Sequence, residues 1–178
     1  MEDRIAALEA RLQRLEDELA IIRLVTEYSP RVDSGSAEEV AALWTQDGRY
    51  DYEAGQPDLI GRDGIRAMVR SDAHQGLIHS GVAHVTTTPR VHLDGDRAVA
   101  TGYSLLIRHD PEGRGYRVAR CSANRWELVR DGDTWRAVRR VNRLLDGSDE
   151  ARELLRAVTG TEHPSRTDET QTETHTET

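Results

Sequence analysis

The sequence predicts an α+β fold in which helices cover one face of a bent sheet and enclose a pocket. Helical periodicity dominates up to about residue 71, after which the apolar pattern changes to the two-residue alternation of strands. Two turns, Asp94-Gly95-Asp96 and Asp131-Gly132-Asp133, then mark hairpins, because Asp-Gly tolerates the positive φ of tight turns. Helices first and consecutive strands afterwards build an α+β layer.

Ile5, Leu8, Leu12, Leu15, Leu19 and Ile22 alternate spacings of three and four with Glu, Asp and Arg between them, the seam of a coiled-coil-like helix spanning residues 1–27. A domain this small offers little surface to bury such a seam. Packing on another subunit is therefore expected, the alternative being the chain's own sheet. Pro30 removes a backbone donor and should kink or stop the helix.

A second helix is expected over Ala37 to Trp44, with Ser36 as its cap and Glu38 and Glu39 in its first turn. Tyr50 and Tyr52 follow on a short strand, and a third helix fits Arg62 to Ser71. Four strand candidates come next: Leu77 to Leu93, Arg97 to Ile107, Tyr116 to Arg130 and Thr134 to Leu145. Asp149 to Val158 reads as a short final helix. Residues 1–160 form the expected domain, and the Thr- and Glu-rich stretch 161–178 has no apolar residue to bury and is expected to be disordered.

Composition excludes several functions. A net charge of -8 leaves no basic face for nucleic acid. All 24 basic residues are arginine, so lysine Schiff bases and lysine-dependent phosphate loops are absent. Cys121, the single cysteine, cannot form an intrachain disulfide, and no apolar run approaches a membrane span. A soluble, cytoplasmic protein is expected. His74, His79 and His84 recur every five residues, but on a strand odd spacing alternates their faces and no further ligand motif accompanies them, so no metal is expected.

The candidate site residues are polar groups lying where the pattern expects packing. Tyr28 and Asp33 flank Pro30, Tyr52 ends the short strand, and His84 opens Val85-Thr86-Thr87-Thr88-Pro89. Residues five apart point about 140° away from each other on an ideal helix, so spacing alone does not bring Tyr28 and Asp33 together; the expected break at Pro30 and the length of the tyrosine side chain would let both reach one pocket. Asn124 shares strand parity with Trp126 and is a candidate for hydrogen bonding a substrate, for packing or for a strand-edge role.

These residues resemble the SnoaL-like family of the nuclear transport factor 2-like superfamily, on the branch with scytalone dehydratase and bile-acid 7α-dehydratase. The resemblance runs from Glu2 to Gly147 through Tyr28-Ser29-Pro30-Arg31-Val32-Asp33, Ala41-Ala42-Leu43-Trp44 with Asp47-Gly48, Gly61-Arg62-Asp63-Gly64-Ile65, His84 to Pro89, Trp126-Glu127-Leu128 and Trp135-Arg136. It implies a cone-shaped fold with three N-terminal helices on a curved antiparallel or mixed sheet. It also implies a catalytic His84 paired with Asp33, and Tyr28 and Tyr52 matching the tyrosines of the bile-acid dehydratase pattern. Arg108 stands where that pattern is acidic, and Thr87 where it has a second histidine.

The chemistry that follows is elimination beside a carbonyl. Histidine is a base near neutral pKa, a carboxylate fixes its tautomer, and tyrosines donate to a developing enolate. A cofactor-independent lyase, specifically a dehydratase acting on a small apolar ring-containing metabolite, is the leading expectation. An isomerase or polyketide-type cyclase with the same pair is the runner-up, and a non-catalytic ligand-binding member the third. A homo-oligomer is expected, a trimer rather than a dimer by analogy with the similar dehydratases.

Overall fold

The computed structural model describes residues 1–113 and 115–156. Helix α1 (Glu2–Asp33) and the short α2 (Ala37–Ala41) lead into β1 (Trp44–Asp51) and β2 (Leu59–Ile60). Helices α3 (Gly61–Arg70) and α4 (Asp72–His79) then precede β3 (Val82–Thr86), β4 (Arg90–Asp94), β5 (Arg97–Asp110), β6 (Gly115–Asp131) and β7 (Thr134–Leu144), and α5 (Asp149–Arg156) follows. The expected tail at 161–178 and the last two residues of the expected final helix lie outside the described residues.

The strands form one mixed sheet in the order β2-β1-β7-β6-β5-β3, with β4 also on β5. Among the described residues only β1 and β7 run parallel, and the other pairs are antiparallel. The long β5 carries β4 on its first half, from Arg97 to Thr101, and β3 on its second, from Ser104 to Arg108. Both Asp-Gly-Asp segments make the expected hairpins, with Asp94 opposite Arg97 and Asp131 opposite Thr134 across two-residue loops. Gly95 and Gly132 supply the positive φ.

The core lies between the helices and one face of this sheet. Ile21, Val25, Tyr28 and Val32 of α1 meet Trp44, Trp126, Leu128 and Ala137 there. Gly48 sits where the register of β1 against β7 shifts, and a Cβ there would lie 2.7 Å from the Trp44 ring and 2.9 Å from the Ala137 carbonyl. The bulge lets the chain pass directly over the buried indole.

Four expectations need correction. The first helix is not confined to residues 1–27 and does not stop at Pro30, which lies inside α1; the helix runs on to Asp33. Proline already has a helical φ, and its cost there is one lost hydrogen bond and crowding of its ring against the carbonyl four residues back. The helix is held from outside on both sides of the proline, by Ser29 Oγ against Thr86 Oγ1 at 2.8 Å before it and by His74 Nε2 on the Val32 carbonyl at 3.0 Å after it.

The second helix ends at Ala41, with Trp44 already on β1, and Ser36 makes no capping hydrogen bond; its hydroxyl meets Ser34 instead. Tyr52 falls one residue past the end of β1. Finally, Leu77 does not begin a strand. Ser71 caps a new helix by accepting from the His74 backbone N–H, Asp72 favours its first turn, and the chain stays helical to His79.

Candidate active site

Asp33 and His84 meet at the junction of α1 and β3. The Asp33 carboxylate accepts twice, at 2.5 Å from the His84 ring through Nδ1 and at 2.7 Å from the His84 backbone N–H. Because the carboxylate can only accept, Nδ1 carries the proton of the neutral ring and Nε2 is left as its basic nitrogen. Both side chains are largely sheltered, at 15% and 20% exposure.

His84 lines a cavity of about 130 Å³ together with Tyr28, Tyr50, Tyr52, His74 and Arg120. Leu59, Met68, Leu77 and Leu106 supply apolar wall. In the sheet, His84 stands opposite Leu106, and Leu106 opposite Arg120, so three adjacent strands contribute one row of the wall. A neighbouring hollow of about 190 Å³ shares Tyr52 and Arg120 with it.

Tyr28 and Asp33 reach the same imidazole without a break in the helix. The edge of the Tyr28 ring packs on His84 with centroids 6.5 Å apart, while Asp33 holds the Nδ1 side. Tyr50 lies 6.4 Å from Tyr28, and Tyr52 lies 6.1 Å from Tyr50, so the three phenol rings form a chain along the wall.

Beneath this chain is a buried cation. Arg140 is 2% exposed, and its guanidinium lies 4.2 Å from the Tyr28 ring centroid, 4.5 Å from that of Trp126 and 4.6 Å from that of Tyr50. Its Nε and Nη2 donate to Asn124 Oδ1, while Nη1 has no hydrogen-bond partner among the described residues. The three ring faces offset part of the cost of burying this charge. Burial, with the Tyr50 hydroxyl alongside, pushes the Tyr28 hydroxyl well above the usual phenol range, and Arg140 pulls against that rise. Tyr28 is thus a neutral donor at every ordinary pH.

Of the residues singled out in the sequence, His84, Tyr28 and Tyr52 line the cavity, and Asp33 stands behind His84. Asn124 points inward as its parity predicts but does not line the cavity. Its Nδ2 donates to Ser104 and its Oδ1 is committed to Arg140, so it braces the cation.

Thr87, in the place of a second histidine, accepts the Tyr103 backbone N–H outside the cavity, and Arg108 lies by Ser80. His74, on α4 and not on a strand, supplies an imidazole 5.9 Å from that of His84. Since the Val32 carbonyl only accepts, the His74 Nε2 carries a proton. His79, at the end of α4, bonds its own helix through Gln75. Among the described residues no group of three or more His, Cys, Asp or Glu is placed to hold a metal ion, and no helix is long and apolar enough to cross a membrane.

Arg120 and Arg140 were not singled out in the sequence, which named Tyr50 only as a strand residue and His74 only in weighing a metal site. Alternation from Trp135 and Ala137 would put Arg139 inside and Arg140 outside. A bulge between the pairs Glu127–Arg139 and Leu128–Ala137 reverses that parity and turns Arg140 and Asn142 into the core.

A helix-covered curved sheet closing over a small pocket defines a nuclear transport factor 2-like protein, and the comparisons agree. The chain belongs to the SnoaL-like family, matching its SnoaL-like domain over residues 13–141. An NTF2-like protein with a cystatin-like fold from Novosphingobium aromaticivorans is 41% identical, superposes with a TM-score of 0.79, and is matched over 83% of this chain and 94% of its own. A second protein of that organism, provisionally designated a scytalone dehydratase, shares the fold at 22% identity and a TM-score of 0.61, over 74% of this chain and 85% of that one. An uncharacterized protein of Mycobacterium tuberculosis is 31% identical over 134 residues, 71% of this chain and 84% of the relative.

Proposed function

We propose that the protein is a lyase that dehydrates a small ring-containing hydroxy-carbonyl compound, with His84 as base. The supporting observation is the 2.5 Å contact between His84 Nδ1 and Asp33 Oδ1 on the wall of a mostly apolar cavity. His84 Nε2 removes the proton beside the carbonyl, Asp33 stabilises the resulting imidazolium, and the C–H electron pair moves into an enolate. Tyr28 and Tyr52 donate hydrogen bonds to the enolate oxygen. As the enolate collapses to the conjugated product, the β-hydroxyl leaves with the proton held by His84, so one water is released and the neutral imidazole returns. No cofactor is required by these steps.

Cavity size narrows the substrate. A hollow of about 130 Å³ is of the order that accommodates one six-membered ring. The adjoining hollow across Tyr52 and Arg120 gives room for a second ring or a side chain. Arg120 makes no hydrogen bond or ion pair among the described residues, and it suits an oxygen-bearing edge of the substrate.

The test is incubation of the purified chain with a panel of one- and two-ring hydroxy-carbonyl compounds, read by product mass. Loss of water by wild type, abolished in His84→Gln and Asp33→Asn variants that keep the fold, is the expected result. Turnover unchanged in both variants would end this assignment. A product of unchanged mass would instead identify an isomerase or cyclase that uses the same pair.

A further inference from the structure

The first half of α1 is a helix whose apolar seam lies exposed. Ile5, Leu8, Leu12, Leu15 and Leu19 are each 46–62% exposed. The residues by which α1 packs on its own sheet are others: Ile21, Leu24, Val25, Tyr28 and Val32. At about 100° per residue, the seam and this packed face are centred roughly 160° apart on the helix. The helix therefore turns its back on the domain where it presents the seam, and the domain cannot cover it.

The charges beside the seam select its occupant. With Ile5, Leu12 and Leu19 at heptad position a and Leu8, Leu15 and Ile22 at d, position g holds Arg4, Arg11 and Glu18, and position e holds Glu9, Glu16 and Arg23. In a parallel coiled coil each g residue meets the e residue five further along the other helix. Arg4 then faces Glu9, Arg11 faces Glu16, and Glu18 faces Arg23, so all three pairings join opposite charges. An antiparallel arrangement sets e against e, and no register of it pairs all of Glu9, Glu16 and Arg23 with opposite charge, because two of the three are glutamate. Among the described residues, none of the six charged side chains makes an ion pair or hydrogen bond within the chain.

We infer that residues 4–23 form a parallel coiled coil with a second copy of this chain. The domains then hang on the outer side of the coil, because their attachment to α1 begins at Asp17 and lies on the opposite face. Both domains sit at the same end, with their cavities outside the coiled interface.

Two experiments on the full chain test this. In a Cys121→Ser background, Leu8→Cys should cross-link to itself on mild oxidation, since a parallel register stacks identical d positions. Ala10→Cys, on the outer side of the same turn, should not. No cross-link at position 8, or equal cross-linking at position 10, overturns the proposal.

The second experiment exchanges charge. A chain carrying Arg4→Glu, Arg11→Glu and Glu18→Arg should lose self-association by roughly a hundredfold or more in Kd, as should one carrying Glu9→Arg, Glu16→Arg and Arg23→Glu. An equimolar mixture of the two should regain it as a mixed species, measured by sedimentation velocity and native mass. Retention of wild-type association by either variant alone, or failure of the mixture to pair, would refute the parallel register.

Discussion

The two halves of α1 are one continuous helix with opposite fates. Residues 2–16 are exposed on every side, whereas from Asp17 onward the helix is anchored and carries the site. The regular leucine pattern lies in the exposed half, and the buried half is marked by a less regular set that includes Tyr28 and Ser29. Regularity therefore reports a partner helix more than it reports the chain's own core, because a two-helix seam repeats every heptad while an irregular sheet surface asks for no fixed repeat.

Asp17 marks the border between these regimes. Its carboxylate accepts from Arg130 at 2.6 Å and from Trp135 Nε1 at 3.1 Å, tying α1 to β6 and β7.

Substitutions can sharpen this contrast. The largest effects belong to the anchored half: His84→Gln and Asp33→Asn should each lower kcat by about 10³-fold, with association unchanged. Tyr28→Phe should cost about tenfold to a hundredfold in kcat, read with the same substrate, because a neutral donor to the enolate is lost.

At the border, Asp17→Asn should destabilise the chain by about 1–3 kcal/mol in urea unfolding at pH 7. The hydrogen bond from Arg130 is the main cause that holds the Asp17 carboxyl below its ordinary value. With the folded value depressed, its contribution is complete above about pH 4 and fades as pH falls through the folded value. The gap between wild type and Asp17→Asn should therefore narrow under acid; a gap that widens below pH 4 would refute this account.

The smallest effect on the domain is expected in the exposed half. Leu12→Ser should shift the unfolding free energy of the isolated domain by less than about 0.5 kcal/mol while weakening self-association. Comparable losses in both measurements would mean that the two halves are not independent.

Much of the fold was legible because its signals are local. Helical spacing, Asp-Gly turns and strand alternation each depend on neighbours in sequence, and they located α1, α3, both hairpins and the long strands. The His84 and Asp33 pairing came from motif resemblance, and in the folded chain the two groups are in contact.

Other features depend on distant contacts. The continuation of α1 through Pro30 rests on Thr86 and on His74, which bonds the Val32 carbonyl, both far along the chain. Arg140 was hidden by a bulge that changes which side chains of β7 face inward. Asn124 was placed inward correctly, but only the position of Arg140 decides what its amide does. The start of α4 was readable from Ser71 and Asp72, and was obscured by the apolar run that follows.

The carboxylate of Asp33 grips both the backbone and the ring of His84, so a single side chain at a helix end registers that end against a strand and aims the base at once. Fraying of the last turn of α1 would release both grips together. Hydrogen exchange at the His84 amide should then report directly on the fraction of molecules poised for turnover, making a local opening equilibrium a gauge of competence.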